Sequence, residues 1–449
     1  MQSQIKINLI HKLMAMQPSR RNCRFYLLLA LLATVSVLLL HYQQQVRYLQ
    51  LQPQLNKLAL IETSASPRTR DLQQLLKCRN RRLELQKLQH GDFWVIENLI
   101  AGEVSRHMAC AESITYTTNG DYTFFDNLET IAERWRGPIS FAVHTPGFDL
   151  STTLDAIQYV RNCLPGSAAI RDYVSFHVYF GQQHMPPVVP LSEAEALRWP
   201  INCAEATEMP PPKITMYKTL ANLTYPINVG RNIARQAANT HFIFACDIEL
   251  YPSLGFVQQF LDLVHRNHSV LALEQQKPRV FPLPVFEINA NESLPANKPE
   301  LMALLQAGRA QLFHAQICTV CHRVPGYKSW INQTLKHDAQ LKVLDVGQRV
   351  GSYRYWEPFY VSDNSEPFFD ERVTWEGQSN KRIQGYAMCL LDYEYHVLHP
   401  AFLVHTPGIK QFDAKSKRLN YVKAMNRLIN YKIKPEYAVL YGTNNNCTT

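Results

Sequence analysis

The chain has 449 residues, 46% of them hydrophobic and 11% aromatic, which excludes long disorder and allows one large domain or two ordinary ones. Its formal net charge of +9 hints at nucleic acid until the charge is located: residues 1–24 hold Lys6, Lys12, Arg20, Arg21 and Arg24 with no acid, and residues 43–91 hold nine Lys or Arg against Glu62, Asp71 and Glu84. The rest of the chain is slightly acidic, so no nucleic-acid partner has an electrostatic footprint on it.

Phe25 to Leu40, "FYLLLALLATVSVLLL", is sixteen residues without a charge. It is long for the apolar region of a cleaved signal, and "HYQQQVRYLQ" follows it in place of a small-residue cleavage site. It therefore reads as a transmembrane signal anchor over 25–42, short enough for a thin early-secretory bilayer. The positive-inside rule leaves 1–24 as a cytosolic tail and everything after Tyr42 in the lumen, a type II arrangement. Sequons at Asn222, Asn267, Asn291, Asn332 and Asn446, candidates for N-glycosylation, all lie on that side. So do nine of the ten cysteines, where disulfides are permitted; Cys23, beside the anchor, is a candidate for palmitoylation.

Residues 43–90 read as a stem. Its first half is Gln-rich and broken by Pro53, and "TSASPRTR" is a loop by composition. In "DLQQLLKCRNRRLELQKLQ", Leu72, Leu75, Leu76 and Leu83 fall near helical spacing. The plain reading is a solvated spacer helix. The sharper one is a self-associating helix, with Cys78 linking two copies in a homodimer; the run is too short for sustained heptads.

From Gly91 strands and helices alternate to the end of the chain, a single domain over 91–449. "SITYTT" (113–118), "PISFAVH" (138–144), "YVSFHVYF" (173–180) and "HFIFAC" (241–246) read as strands. "FFDNLETIAERW" (124–135), "STTLDAIQYVRNC" (151–163) and "INVGRNIARQAAN" (227–239) read as helices. The pattern predicts an α/β fold with a mainly parallel sheet flanked by helices, its ligand beyond the carboxyl ends of the strands. No G-x-G-x-x-G follows the first strand, so a dinucleotide site lacks its fingerprint.

At one such strand end stand Asp247 and Glu249, on the same side if the strand continues through them. Two carboxylates there suit a hard divalent cation, Mn²⁺ or Mg²⁺, bridging to a diphosphate. The bland alternative, solvated acids at a strand end, is the usual fate of an isolated D-x-E. Arg231, early on the preceding helix, is either an exposed Arg or a brace for Asp247 that reaches the diphosphate, with Asn228 and Asn232 beside it. Thr118 and Asn119, ending the first strand, are small polar groups at the same edge, placed to contact a bound donor.

"YPINVGRNIARQAANTHFIFACDIELYPS" resembles the donor-site segment of the β-1,4-glucuronyltransferase and LARGE-type glycosyltransferases that extend the O-mannosyl glycan of dystroglycan. "RWRGPISFAV", "FPLPVFEIN", "ICTVCHRVPGYKSWIN", "YWEPFYVS", "FFDERV" and "FLVHTPG" also match, in the family's order, from about Gly91 to the C-terminus. The single transferase domain is more like the glucuronyltransferase than the tandem LARGE type. The resemblance implies a Golgi enzyme with a GT-A-type nucleotide-sugar-binding fold, UDP-glucuronate as donor, a glycoprotein glycan as acceptor, and His405 of "FLVH" as third metal ligand. Two positions depart from the family's pattern: Glu249 stands where D-x-D has aspartate, and Ala387 where an acid is usual.

A β-glucuronide made from an α-linked donor requires inversion, hence one general base. Asp370 and Glu371 of "FFDER" are the candidates, against a bland reading as acids at a helix N-terminus. Arg372 or Lys381 would pair the donor's carboxylate, and Trp356, Glu357 and Phe359 would form an acceptor platform. Cys318-x-x-Cys321 lacks a second pair for zinc, so each cysteine is expected to join another elsewhere, and Cys246 to stay a buried thiol. The expected activity is metal-dependent glucuronyl transfer to a xylose-ended or related glycan. A catalytically silent glycan-binding or scaffold domain, or the same fold with another UDP-sugar, are the alternatives.

Overall fold

A computed structural model of the chain describes residues 31–32, 34–45, 66–198, 200–204, 215–271, 277–318, 320–335, 339–406 and 419–449. The chain divides into two compact units, Met1–Ser64 and Ala65–Thr449. In the first, the described residues 31–32 and 34–45 are helical and exposed. No helix among the described residues is long and apolar enough to cross a membrane. The cytosolic tail with Cys23, the start of the expected anchor, and residues 46–65 of the expected stem lie outside the described residues.

The second unit opens earlier than the sequence predicts. Helix α1 (Pro67–Leu76) starts with Ser66 accepting from the Thr69 amide and a proline in its first turn, and it ends where Lys77 turns left-handed. It is not solvated: Leu72, Leu76 and the following Leu83 are buried in the body. Arg68 reaches Asp262 at 2.6 Å, and Cys78 is bonded to Cys110 of the same chain, which removes it as a link between copies. Strand β1 (Gln86–His90) then forms a hairpin with β2 (Phe93–Ile100) through Gly91 at φ +55°. Residues 66–90 are thus part of the globular body and not a spacer.

The remaining strands are β3 (Ile114–Gly120), β4 (Ile139–His144), β5 (Val174–Gly181), β6 (Phe242–Ala245), β7 (Leu250–Pro252), β8 (Arg279–Leu283), β9 (Val285–Ile288), β10 (Ala310–Leu312), β11 (Lys342–Gly347), β12 (Phe359–Ser362), β13 (Glu394–His399) and β14 (Leu403–His405). Ten form one sheet in the order β1-β2-β5-β4-β3-β6-β12-β8-β13-β11, and four form a second, β10-β9-β14-β7. All four strands read from the sequence lie side by side in the large sheet and are parallel. The sheet as a whole is mixed: β2 is antiparallel to β5, and β12 runs antiparallel between β6 and β8. The expectation of a mainly parallel sheet therefore holds for its nucleus and for the pair β8–β13. The antiparallel additions are short or enter through long connections, which leave no local periodicity to read.

Helices α2 (Leu128–Trp135) and α3 (Asp149–Asn162) carry the chain between the first parallel strands, and α4 (Ile227–Ala237) leads into β6. Helix α5 (Phe256–Arg266) follows β7, α6 (Asn380–Leu390) precedes β13, and α7 (Lys434–Tyr441) is the last. The main core packs Tyr116, Phe141, Phe176 and Phe244 of the sheet against Trp135 and Phe256, with Trp135 stacked on Phe244 at 5.6 Å. Each such fully buried side chain contributes roughly 1.5–3 kcal/mol.

Candidate functional site

Strand β6 stops at Ala245, and the chain turns: the Leu250 amide donates to the Asp247 carbonyl at 3.1 Å. Tyr116, fully buried on β3, donates its hydroxyl to the carbonyls of Asp247 (2.8 Å) and Leu250 (2.9 Å) and braces that turn. Asp247 and Glu249 therefore belong to a turn, and strand alternation does not aim them together.

Both oxygens of Asp247 are occupied. Arg231 on α4 donates Nη2 to Oδ1 at 2.9 Å, and Lys381 at the start of α6 donates Nζ to Oδ2 at 2.8 Å. Burial alone would raise this carboxyl, but Lys381 and Arg231 outweigh it and hold the group well below the usual carboxylate range. Arg231 is fixed in turn by Asn228 Oδ1 (2.9 Å) and Asn380 Oδ1 (2.7 Å) and lies over the Phe369 ring. Lys381 sits 3.8 Å from the centroid of Phe359. Arg231, Asp247, Lys381, Phe359 and Phe369 line, with Glu357, a cavity of about 20 Å³. That is room for a water molecule and not for a sugar nucleotide.

His405 ends β14, whose register pairs it with Leu250, so the strand does bring it beside the turn. It is buried, its ring 4.9 Å from that of Phe313. Among the described residues no group of three or more His, Cys, Asp or Glu side chains could hold a metal ion. Asp247, Glu249 and His405 do not assemble a site for Mn²⁺ or Mg²⁺ as arranged, and Arg231 and Lys381 each hold one oxygen of Asp247.

Helix α4 presents Asn228, Arg231, Asn232 and Arg235 at helical spacing on a buried face. This polar stripe holds the 363–379 loop. Arg235 pairs with Glu366 at 3.1 Å, Asn232 exchanges bonds with the backbone of Phe369, and Asn228 donates to the carbonyls of Asp370 and Asn380. Asn228 and Asn232 are thereby positioning residues for the loop, not donor contacts.

That loop carries the expected base, and neither carboxylate lines the cavity. Glu371 bonds to His90 on β1 at 2.6 Å and to Asn232 at 2.7 Å. Asp370 is gripped by Arg372 at 2.9 and 2.7 Å, with the Tyr437 hydroxyl of α7 beside it. Nor is the segment a helix N-terminus, since α6 starts only at Asn380. Arg372 also holds Glu436 at 2.6 Å and is not available to a donor carboxylate.

Of the expected acceptor platform, Trp356 is buried against Tyr395 and Phe359 lies under Lys381, so neither ring offers a stacking face. Glu357 does line the cavity and pairs with Arg382 at 2.7 Å. Burial would raise its carboxyl, but Lys381, His322 and Arg382 hold it below the usual range, so it is ionised at neutral pH. Behind it, the Glu357 amide donates to the Cys321 carbonyl at 2.8 Å. Cys321 is bonded to Cys318, so the two pair with each other and not with distant cysteines; a tight turn brings their Cα atoms to 5.5 Å. The other bridges are Cys163–Cys203 and Cys389–Cys447, and Cys246 is a buried thiol as expected.

Thr118 and Asn119 close β3. Asn119 donates to the Ile227 carbonyl at 2.7 Å and pins the start of α4. Thr118 Oγ1, His144 Nδ1 and Thr145 Oγ1 are buried without a hydrogen-bond partner at the carboxyl ends of β3 and β4. His144 and Thr145 gave no signal in the sequence beyond following a strand. Ala387, where an acid was expected, is fully buried in an apolar cluster with Val373, Ile383 and Ile433. The five sequon asparagines are all exposed.

Residues 113–442 match the family described as "Glycosyl-transferase for dystroglycan". Beta-1,4-glucuronyltransferase 1 of Danio rerio is 28% identical over 372 residues, covering 79% of this chain and 81% of its own. The Homo sapiens protein of that name is 27% identical over 321 residues, covering 69% and 72%. Xylosyl- and glucuronyltransferase LARGE1 of Homo sapiens is 23% identical over 297 residues, which is 65% of this chain but 31% of its own. The mixed sheet flanked by helices fits a glycosyltransferase fold, and with a match over most of its length the chain belongs to the family of glycosyltransferases for dystroglycan.

Proposed function

We propose that the protein is a Golgi type II enzyme with a GT-A fold that transfers glucuronic acid from UDP-glucuronate to a xylose-ended or related glycan of a glycoprotein, with inversion. The observation that carries this is the cluster of Arg231, Asp247, Lys381 and Glu357 at the carboxyl edge of β6, where an α/β sheet takes its ligand. The similarity to proteins named beta-1,4-glucuronyltransferase 1 supports the donor. The four disulfides and exposed sequons suit an oxidising lumen, and the apolar stretch 25–40 behind a basic tail supports the anchor.

In this reading the acceptor hydroxyl attacks C1 as the bond from C1 to the diphosphate breaks, and UDP departs. Arg231 and Lys381 supply positive charge where the leaving group becomes more negative. Glu357, the ionised carboxylate lining the cavity, accepts the acceptor's proton; Asp370 and Glu371 are committed elsewhere. No step is routed through a metal, since the residues expected to bind one do not fit it. The test is UDP release by the full chain with a panel of UDP-sugars and a xylose-ended acceptor. UDP-glucuronate should be turned over in preference to the others. Preference for another sugar refutes the donor, and UDP binding without any turnover establishes the silent-domain alternative.

A further inference from the structure

Lys381 stands beside an oxygen of Asp247 that a divalent cation would use. It occupies Oδ2 at 2.8 Å, Arg231 occupies Oδ1, and both side chains are largely withdrawn from water, at 16% and 8% exposure. The charge inventory points the same way. Asp247 and Glu357 line the cavity with Arg231 and Lys381, and Arg382 is paired to Glu357 from behind. Those five groups sum to one positive charge, and Glu249 in the adjoining turn brings the total to neutrality. A divalent ion entering with Lys381 in place would leave this otherwise neutral cluster with excess positive charge.

Resting on the reading that the site takes a nucleoside diphosphate sugar, we propose that Lys381 and Arg231 serve as its built-in counter-ions, binding the diphosphate directly, with Asp247 holding both in place until the donor enters. Arg231 is pre-organised by Asn228 and Asn380 and offers a rigid fork to phosphate oxygens. Lys381 is the mobile partner: a point charge on a flexible stem, near the start of α6 and resting on Phe359. Its swing from Asp247 toward the diphosphate also opens a cavity that now holds no more than a water. Before the donor enters, divalent metal and Lys381 compete for one carboxylate, and once it is bound the lysine supplies the charge a metal would, so the lysine is a determinant of metal independence.

The experiment titrates UDP into the full chain by calorimetry, once in EDTA and once in Mn²⁺, for the unmodified protein, Lys381→Met and Lys381→Arg. The unmodified protein should bind UDP in EDTA, with Mn²⁺ changing Kd by no more than a few-fold. Lys381→Met should lose ~10- to 100-fold in EDTA, the worth of one buried charge-assisted contact, and regain part of it in Mn²⁺. Lys381→Arg should retain binding in EDTA. A strict Mn²⁺ requirement in the unmodified protein overturns the inference and leaves the glycosyltransferase reading standing; that arm decides even if Lys381→Met fails to fold. Unchanged EDTA binding by a folded Lys381→Met also overturns it. No UDP binding under either condition sinks the donor reading itself.

Discussion

A chain begun at residue 91, the boundary that composition predicts, should fail to fold, whereas one begun at residue 66 should fold. The shorter chain loses α1 and β1, and with them the burial of Leu72, Leu76 and Leu83. At ~1.5–3 kcal/mol each, three buried leucines come to roughly 5–9 kcal/mol, an upper bound because an unfolded chain already hides some apolar surface. It also loses the Cys78–Cys110 bridge across a separation of 32 residues, worth about 3–4 kcal/mol in a chain-entropy account, and leaves Cys110 unpaired. Against a net stability of ~5–15 kcal/mol for a typical domain, that loss is of the size of the whole. Removing β1 further exposes the edge of β2, a template for aggregation. The assay compares secreted yield and thermal melting of 66–449 and 91–449 carrying the same tag. The longer fragment should melt cooperatively; the shorter should aggregate, or melt more than ~10 °C lower. Equal yields and coincident melting curves would refute the placement of residues 66–90 in the body. Cys78→Ser within 66–449 isolates the share due to the bridge.

Glu357→Gln should lower turnover by ~10²–10⁴-fold while UDP binding holds within a few-fold; near-normal turnover would show that Glu357 does not take the proton. The hydrogen bond that His90 donates to Glu371 raises its imidazole above its ordinary 6.5 against the opposing effect of burial. A raised folded value means that this contribution to stability is complete below pH 6.5 and fades as pH climbs through the raised value. His90→Gln should therefore flatten the fall of melting temperature above that pH, and an unchanged slope would rule the pair out as its source. Endoglycosidase treatment of the secreted protein should increase its gel mobility, with stepwise loss of the effect as Asn222, Asn267, Asn291, Asn332 and Asn446 are changed to Gln. No mobility shift would argue against a lumenal body.

The strands β3 to β6 were legible because each is a compact apolar run with a helix-length segment on either side. The leucines of α1 were legible as a helical stripe, but nothing local says whether such a stripe faces water, another copy or the chain's own core. Asp370 and Glu371 show the same limit at the site. Two acids in sequence look like candidates for catalysis, yet what disposes of Glu371 is His90, 281 residues away, and what disposes of Asp370 is its own neighbour Arg372. Glu357 lines the cavity with Asp247, and sequence alone offered it only as part of an acceptor platform. Tyr116, which braces the Asp247 turn, was hidden inside an unremarkable strand, since its hydroxyl acts through backbone atoms far along the chain.

The position of β12 between β6 and β8 sets a timetable for biosynthesis. Val361 and Ser362 of β12 pair with Phe244 and Ile243 of β6, so the centre of the large sheet closes only after more than a hundred intervening residues have emerged. At ~5–20 residues per second that interval lasts about 5–20 s, during which β6 presents one unpaired edge. Non-local closure of this kind is slow by its topology. Three of the five exposed sequons, Asn267, Asn291 and Asn332, fall within this interval. Sugars attached there would be on the nascent chain before the sheet is complete, available to lectin chaperones while the open edge is most prone to mispairing.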